Sequence, residues 1–166
     1  MGQTVELGDL IEPDRVIISL RLTDKGQLIR ELSHRASKAL GIADTFILSA
    51  LCTREALGST GIGQGIAIPH ARIEGLKRIF GLFVRLERPI DFAAIDGEPA
   101  DLVFLLLIPA NAGSEHLAAL ACVSRRLRDL EVAQALRRTK TARELYVQLV
   151  GHDYTRDKHF TLDNLQ

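Results

Sequence analysis

The chain has 166 residues, enough for one domain with a substantial core and at most a small appendage. Apolar residues make up 46% and charged residues 25%, which excludes disordered and fibrous classes. Lys plus Arg and Asp plus Glu balance at 21 each, so no excess charge draws the chain to nucleic acid or to a membrane surface. The longest apolar run, Leu102 to Ile108, is far shorter than the roughly 20 residues that cross a bilayer, and membrane insertion is not expected. The opening MGQTVELGDL lacks the basic and apolar regions of a signal peptide, which points to the cytoplasm. Cys52 and Cys122, far apart in predicted helices, read as two buried thiols rather than a disulfide.

In chain order, DRVIISL (Asp14 to Leu20) has the β-branched character of a strand. A helix follows, with Asp24 as its cap and Gln27 three residues on; Leu28, Ile29, Leu32, Ala36, Ala39 and Leu40 share one face before Gly41 ends it. A second helix begins near Asp44, buries Phe46, Ile47, Ala50 and Leu51, carries Arg54 in its last turn and stops around Gly58. RIFGLFVRLE (Arg78 to Glu87) and DLVFLLLIP (Asp101 to Pro109) are apolar on nearly every residue, as suits strands covered on both faces. Between them, RPIDFAAIDGEPA holds two prolines and an Asp96-Gly97 turn signal, and predicts a short extra strand or a hairpin.

From Gly113 the pattern is helical, with Ser114 as the predicted N-cap and Leu117, Leu120, Ala121, Ser124 and Leu127 on one face. Thr141 begins a last helix that ends near Gly151. The periodicity is lost after that, and 151–166 reads as an accessory tail. The expected fold is a single α/β domain over about 7–150, with a mixed central sheet flanked by helices on both faces.

The chemistry concentrates in STGIGQGIAIPHAR, Ser59 to Arg72. A dinucleotide fingerprint would need a glycine where Ile66 stands, and the Gly-Lys-Ser/Thr of a P-loop is absent. The segment still combines the Ser59 and Thr60 hydroxyls with glycine-freed backbone N–H groups, the material of an anion cradle. His70 follows Pro69, which fixes its own φ and biases Ile68 toward extended backbone, so a strand edge should hold the ring in one direction. A neutral imidazole keeps one nitrogen lone pair that can attack phosphorus or bind a metal. His116, in the first turn of the helix after Ser114, lies where free N–H groups welcome an anion and disfavour imidazolium. His34, His152 and His159 have no comparable surroundings and read as ordinary surface or structural residues, as do the basic stretches SRRLRDL and LRRTK.

TREALGSTGIGQGIAIPHAR resembles the active-site segment of the enzyme IIA domains of the bacterial phosphoenolpyruvate phosphotransferase system, mannitol/fructose class, and most of all their nitrogen-related regulatory branch. PIDFAAIDGEPADLVFLLLIPANAGSEHLAAL and VSRRLRDLEVAQALR continue the similarity, so it covers about Leu7 to Val150. The resemblance implies that His70 accepts a phosphoryl group from the phosphohistidine of an HPr-like carrier. It makes His116 the second active-site histidine, Arg54 a phosphoryl clamp, and Ser59, Thr60 and Gly61 parts of the phosphate-binding loop. Where some relatives have Gly-Lys after the histidine, this chain has Ala71-Arg72. An arginine fork suits such a group, because it offers paired charge-assisted hydrogen bonds to phosphoryl oxygens.

The resemblance further implies a phosphocarrier-type regulatory switch that needs no metal or other cofactor. Its targets would be sensor kinases or potassium transport components. Apart from the resemblance, a monomer or weak homodimer is expected. With no transporter or IIB unit attached, regulation is preferred over the alternative of a sugar-specific IIA that passes phosphate to a separate IIB unit. A histidine metal or anion module is the remaining alternative, and it lacks a third ligand at recognised spacing.

Overall fold

The computed structural model describes residues 4–152. Its regular elements, in order, are β1 (Val16–Leu20), α1 (Lys25–Leu40), α2 (Asp44–Ala56), β2 (Gly61–Gly63), β3 (Ile66–Ala67), β4 (His70–Ile73), β5 (Phe80–Ile90), β6 (Ala100–Pro109), α3 (Glu115–Arg128), α4 (Leu130–Arg138) and α5 (Ala142–Val150). Short 3-10 turns at Leu7–Asp9 and Pro13–Arg15 precede β1.

The sheet runs β1-β5-β6-β3-β2, with β4 also pairing β6. It is mixed: β1 is parallel to β5, β3 and β4 are parallel to β6, and β5–β6 and β2–β3 are antiparallel. Strand β6 lies at its centre, and its side chains alternate between two cores as a pleated strand requires. Val103, Leu105 and Leu107 pack with Leu28, Leu32, Ile47 and Leu51 of α1 and α2. Leu102, Phe104, Leu106 and Ile108 pack with Val123 and Leu127 of α3, Leu136 of α4 and Leu145 of α5. The helices therefore cover both faces, which is why β5 and β6 are apolar on nearly every residue.

The caps follow local chemistry. Asp24 accepts from Gln27 N at 2.8 Å at the start of α1, Gly41 ends it at φ 70, and Thr141 caps α5 by accepting from Glu144 N. Asp129 accepts from Glu131 N and Val132 N, and so starts α4 as a helix distinct from α3.

Several expectations are corrected. Of the two readings of RPIDFAAIDGEPA the hairpin is the one formed, not an extra strand: β5 runs through Pro89 to Ile90, Ile90 pairs with Ala100, and the residues between connect a β5–β6 hairpin through the Asp96-Gly97 turn. Phe46 is exposed, while Ile47 and Leu51 supply the buried face of α2. Ser114 sits in helical conformation and makes no side-chain cap. The buried face of α3 is Ala119, Val123 and Leu127, leaving Leu117 and Ala121 exposed. Cys52 is exposed and Cys122 half-buried, and both are free. Residues 153–166 of the expected tail, with His159, lie outside the described residues.

Gly81 on β5 shows how tightly the N-terminal segment closes on the sheet. A Cβ there would run into the Leu10 carbonyl and the Phe104 ring, and a backbone oxygen cannot swing aside. Gly81→Ala should lower the unfolding free energy by about 1–3 kcal/mol. A urea denaturation midpoint equal to wild type would contradict that contact.

Candidate functional site

Strands β3 and β4 lie along the same side of β6, interrupted by Ile68 and Pro69. The interruption is itself hydrogen-bonded: Ile68 N donates to Thr60 O, and Leu106 N donates to Pro69 O, both at 3.0 Å. His70 opens β4 directly after this break. Its Nδ1 is 2.8 Å from Ile68 O. A carbonyl oxygen only accepts, so Nδ1 carries the proton and Nε2 keeps the lone pair. Arg54, in the last turn of α2, donates from Nε to that Nε2 at 3.3 Å and from a terminal nitrogen to Gly58 O at 2.9 Å.

His116, second residue of α3, approaches from the other side. The two imidazole centroids are 6.0 Å apart with planes at 84°. Arg72 donates to Ala110 O at 3.2 Å and Ala112 O at 2.8 Å, which ties β4 to the loop leading into α3. Nδ1 of His116 is buried and has no hydrogen-bond partner among the described residues. The structure thus brings His70, Arg54 and His116 together.

Ser59, Thr60 and Gly61 are placed differently. The Ser59 hydroxyl donates to Phe92 O and accepts from Gly61 N, the latter at 3.0 Å. Thr60 is 3% exposed, and Glu55 accepts its N–H at 2.8 Å and its hydroxyl at 2.7 Å. Lys25 pairs with the same carboxylate at 2.6 Å and lies 4.9 Å over the Phe92 ring. These groups are occupied in bracing the loop rather than presented to the two rings. Gly65, at φ 79, admits Arg137, which donates to Gln64 O at 3.0 Å and to Asp101. Asp96 accepts Gln64 N at 2.8 Å, and that bond is the main cause holding its carboxyl below the usual range. Glu55, Lys25 and the Ile68 carbonyl were not singled out from sequence. Glu55 adjoins Arg54 in TRE, but Lys25 is on another helix and nothing local points to it.

Both histidines are biased toward the neutral form. Burial is the first cause for His70; the Ile68 bond opposes it, Arg54 adds to it, and Glu55 opposes it. Burial also leads for His116, followed by the positive fields of Arg72, His70 and Arg54. No group of three or more His, Cys, Asp or Glu suited to a metal occurs among the described residues. Three large apolar side chains stand out in solvent on the segments that meet here: Leu57 after α2 is 82% exposed, Leu117 beside His116 is 70% exposed, and Ile95 on the Phe92 loop is fully exposed.

Residues 9–150 match the family model of the phosphoenolpyruvate-dependent sugar phosphotransferase system, EIIA 2. The chain belongs to this family. A nitrogen regulatory protein of Bradyrhizobium diazoefficiens is 45% identical over 138 residues, which cover 83% of this chain and 90% of that protein. One from Escherichia coli is 37% identical over 156 residues, or 93% and 96% of the two chains. The crystal structure of the nitrogen regulatory protein IIA-Ntr of Neisseria meningitidis superposes with a TM-score of 0.82 at 32% identity, covering 86% of this chain and 98% of that one. The Escherichia coli mannitol IIA, at 22% identity and TM-score 0.70 over 83% of this chain and 97% of that one, shares the fold. This EIIA 2 protein therefore has a phosphotransferase-system role of the IIA-Ntr kind. No helix of the described residues is long and apolar enough to cross a membrane.

The lowered histidines set a pH dependence. Above about pH 6.5 folded and unfolded chains both hold these rings neutral and stability is full. As pH falls, the unfolded chain takes up protons first, so stability is lost from about pH 6.5 downward through the lowered folded values. Urea midpoints should therefore drop between about pH 7.5 and about pH 5.5, and the double variant His70→Gln, His116→Gln should flatten that drop. An equal slope in wild type and double variant would refute it.

Proposed function

We propose that Nε2 of His70 accepts a phosphoryl group from the phosphohistidine of an HPr-like carrier, and that the protein acts as a regulatory switch read by its phosphorylation state. The observation that carries the reading is the Nε2 lone pair, held against Arg54 because Nδ1–H is committed to the Ile68 carbonyl. A neutral ring in fixed orientation is what in-line transfer requires, since a loose phosphoryl transition state needs alignment and charge stabilisation more than covalent help. The N–P bond at the carrier breaks as the N–P bond at Nε2 forms. The leaving imidazole keeps its electron pair, and His70 keeps its Nδ1 proton.

The arriving group brings about 1.5 to 2 negative charges. Arg54 then turns from the ring nitrogen to the phosphoryl oxygens, where each charge-assisted hydrogen bond contributes about 1.5–3 kcal/mol. His116, at the positive end of α3, offers a further donor across the 6.0 Å gap between the rings. Leu57, Ile95 and Leu117 supply an apolar rim on which a carrier docks, and a dianion at its centre changes the charge that a target meets. In keeping with relatives named nitrogen regulatory protein, the targets are regulatory proteins such as sensor kinases or potassium transport components. Residues 7–150 form the phosphorylated unit, and Ser59, Thr60 and Gly61 contribute by bracing the loop beside it.

Incubation with enzyme I, the HPr-like carrier and labelled phosphoenolpyruvate should label the wild type in an acid-labile form and leave His70→Ala unlabelled. Label retained by that variant, or stable in acid, would sink the assignment. Leu57→Asp should take up label at least about 10-fold more slowly at low carrier concentration and reach the same extent, since it removes docking area and adds charge to the rim. An unchanged rate would remove Leu57 from the docking surface.

A further inference from the structure

We propose that Glu55 is a positioning residue for the His70 imidazole, acting through Thr60 and Ile68. This rests on the reading of His70 as the phosphoryl acceptor. The Glu55 carboxylate takes both polar hydrogens of Thr60, the N–H at 2.8 Å and the hydroxyl at 2.7 Å, and so leaves Thr60 no freedom to turn. The Thr60 carbonyl accepts Ile68 N at 3.0 Å, and the Ile68 carbonyl accepts His70 Nδ1–H at 2.8 Å. An unbroken sequence of hydrogen bonds thus runs from the carboxylate to the ring nitrogen that determines the tautomer.

The same residue adjoins Arg54, which meets the opposite nitrogen of the ring. One helix end therefore holds the imidazole from both sides. Lys25 of α1 completes the arrangement by pairing with Glu55 at 2.6 Å, so the largely buried carboxylate is fully partnered. Among the described residues, the charged and titratable groups around His70 are Arg54 and Glu55 from α2, Arg72 from β4 and His116 from α3, and Glu55 is the negative one among these. Its charge opposes the fall in the His70 pKa that burial and Arg54 produce.

The test uses the full chain in two measurements. Nitrogen-15 NMR of the unphosphorylated protein reads the His70 tautomer and its titration, and single-turnover transfer from a phosphorylated HPr-like carrier reads the rate. Glu55→Ala should lose the preference for Nδ1–H, titrate at lower pH than wild type, and transfer roughly 10- to 100-fold more slowly, the loss expected for a misplaced reacting group. Glu55→Gln, which still accepts from Thr60, should restore most of the tautomer preference and rate yet keep the lowered titration, a split that a purely structural role would not give. Thr60→Val, which removes only the hydroxyl, should fall between them in rate. Wild-type tautomer, titration and rate in folded Glu55→Ala would overturn the proposal; should that variant not fold, the same result in both Glu55→Gln and Thr60→Val would do so. A wild type that takes up no phosphoryl group overturns the acceptor reading alone, because the tautomer and titration of His70 are read without phosphorylation.

Discussion

His70 donates its Nδ1–H to the carbonyl of Ile68, two residues earlier, and the surrounding architecture keeps that carbonyl where it is. A carbonyl so close in sequence could reach the ring only if the chain between them is bent and held. Pro69 bends it, and the two 3.0 Å backbone bonds of Ile68 and Pro69 hold it, one to Thr60 and one to β6. Strand β6, buried along nearly its whole length between two helical layers, thereby anchors the segment that carries a single imidazole at its edge. The consequence is chemical: one tautomer is selected and the other ring nitrogen is left as a nucleophile.

Burial and the charge of Arg54 bias the same ring toward its neutral form, and together they outweigh the Ile68 bond, which by itself favours protonation. A desolvated imidazole beside a guanidinium resists protonation, which preserves the lone pair that the tautomer exposes. The balance is moderated by Glu55, whose negative charge works against both. Arg54 therefore stands in two relations to His70. It disfavours the cationic ring through its charge, and its Nε–H donates to the ring nitrogen that keeps the lone pair.

The glycine-rich segment takes on a different meaning in three dimensions. Its spacing suggests a cradle of free N–H groups, but β2 and β3 fold as a tight antiparallel pair whose exposed groups are taken up by neighbours. Asp96, Arg137 and the Phe92 carbonyl each satisfy part of it, and Gly65 is needed where Arg137 crosses close to the backbone. The loop is hydrogen-bonded to the Asp91–Pro99 connection on one side and to Arg137 of α4 on the other.

Much of this was legible along the chain. The two-sided sheet follows from strands apolar on nearly every residue, the ends of α1 from Asp24 and Gly41, and the candidate acceptor from a histidine locked behind a proline, since each signal acts within a few residues. His116 was singled out from its place at a helix start and the role of Arg54 from a resemblance, and their approach to His70 needed α2 packed against β4 and α3 against β6. Helix faces slipped where apolar residues crowd on both sides, as at Phe46 and Leu117, because periodicity alone does not say which side meets the sheet. The Lys25–Glu55–Thr60 contact left no trace in sequence, for it joins α1, α2 and a loop. Sequence by itself determined the family, the main strands and helices and the candidate acceptor side chain; tertiary structure decided the short strands of the glycine segment, the tautomer and the bracing, because hydrogen bonds between distant segments have no local periodicity to announce them.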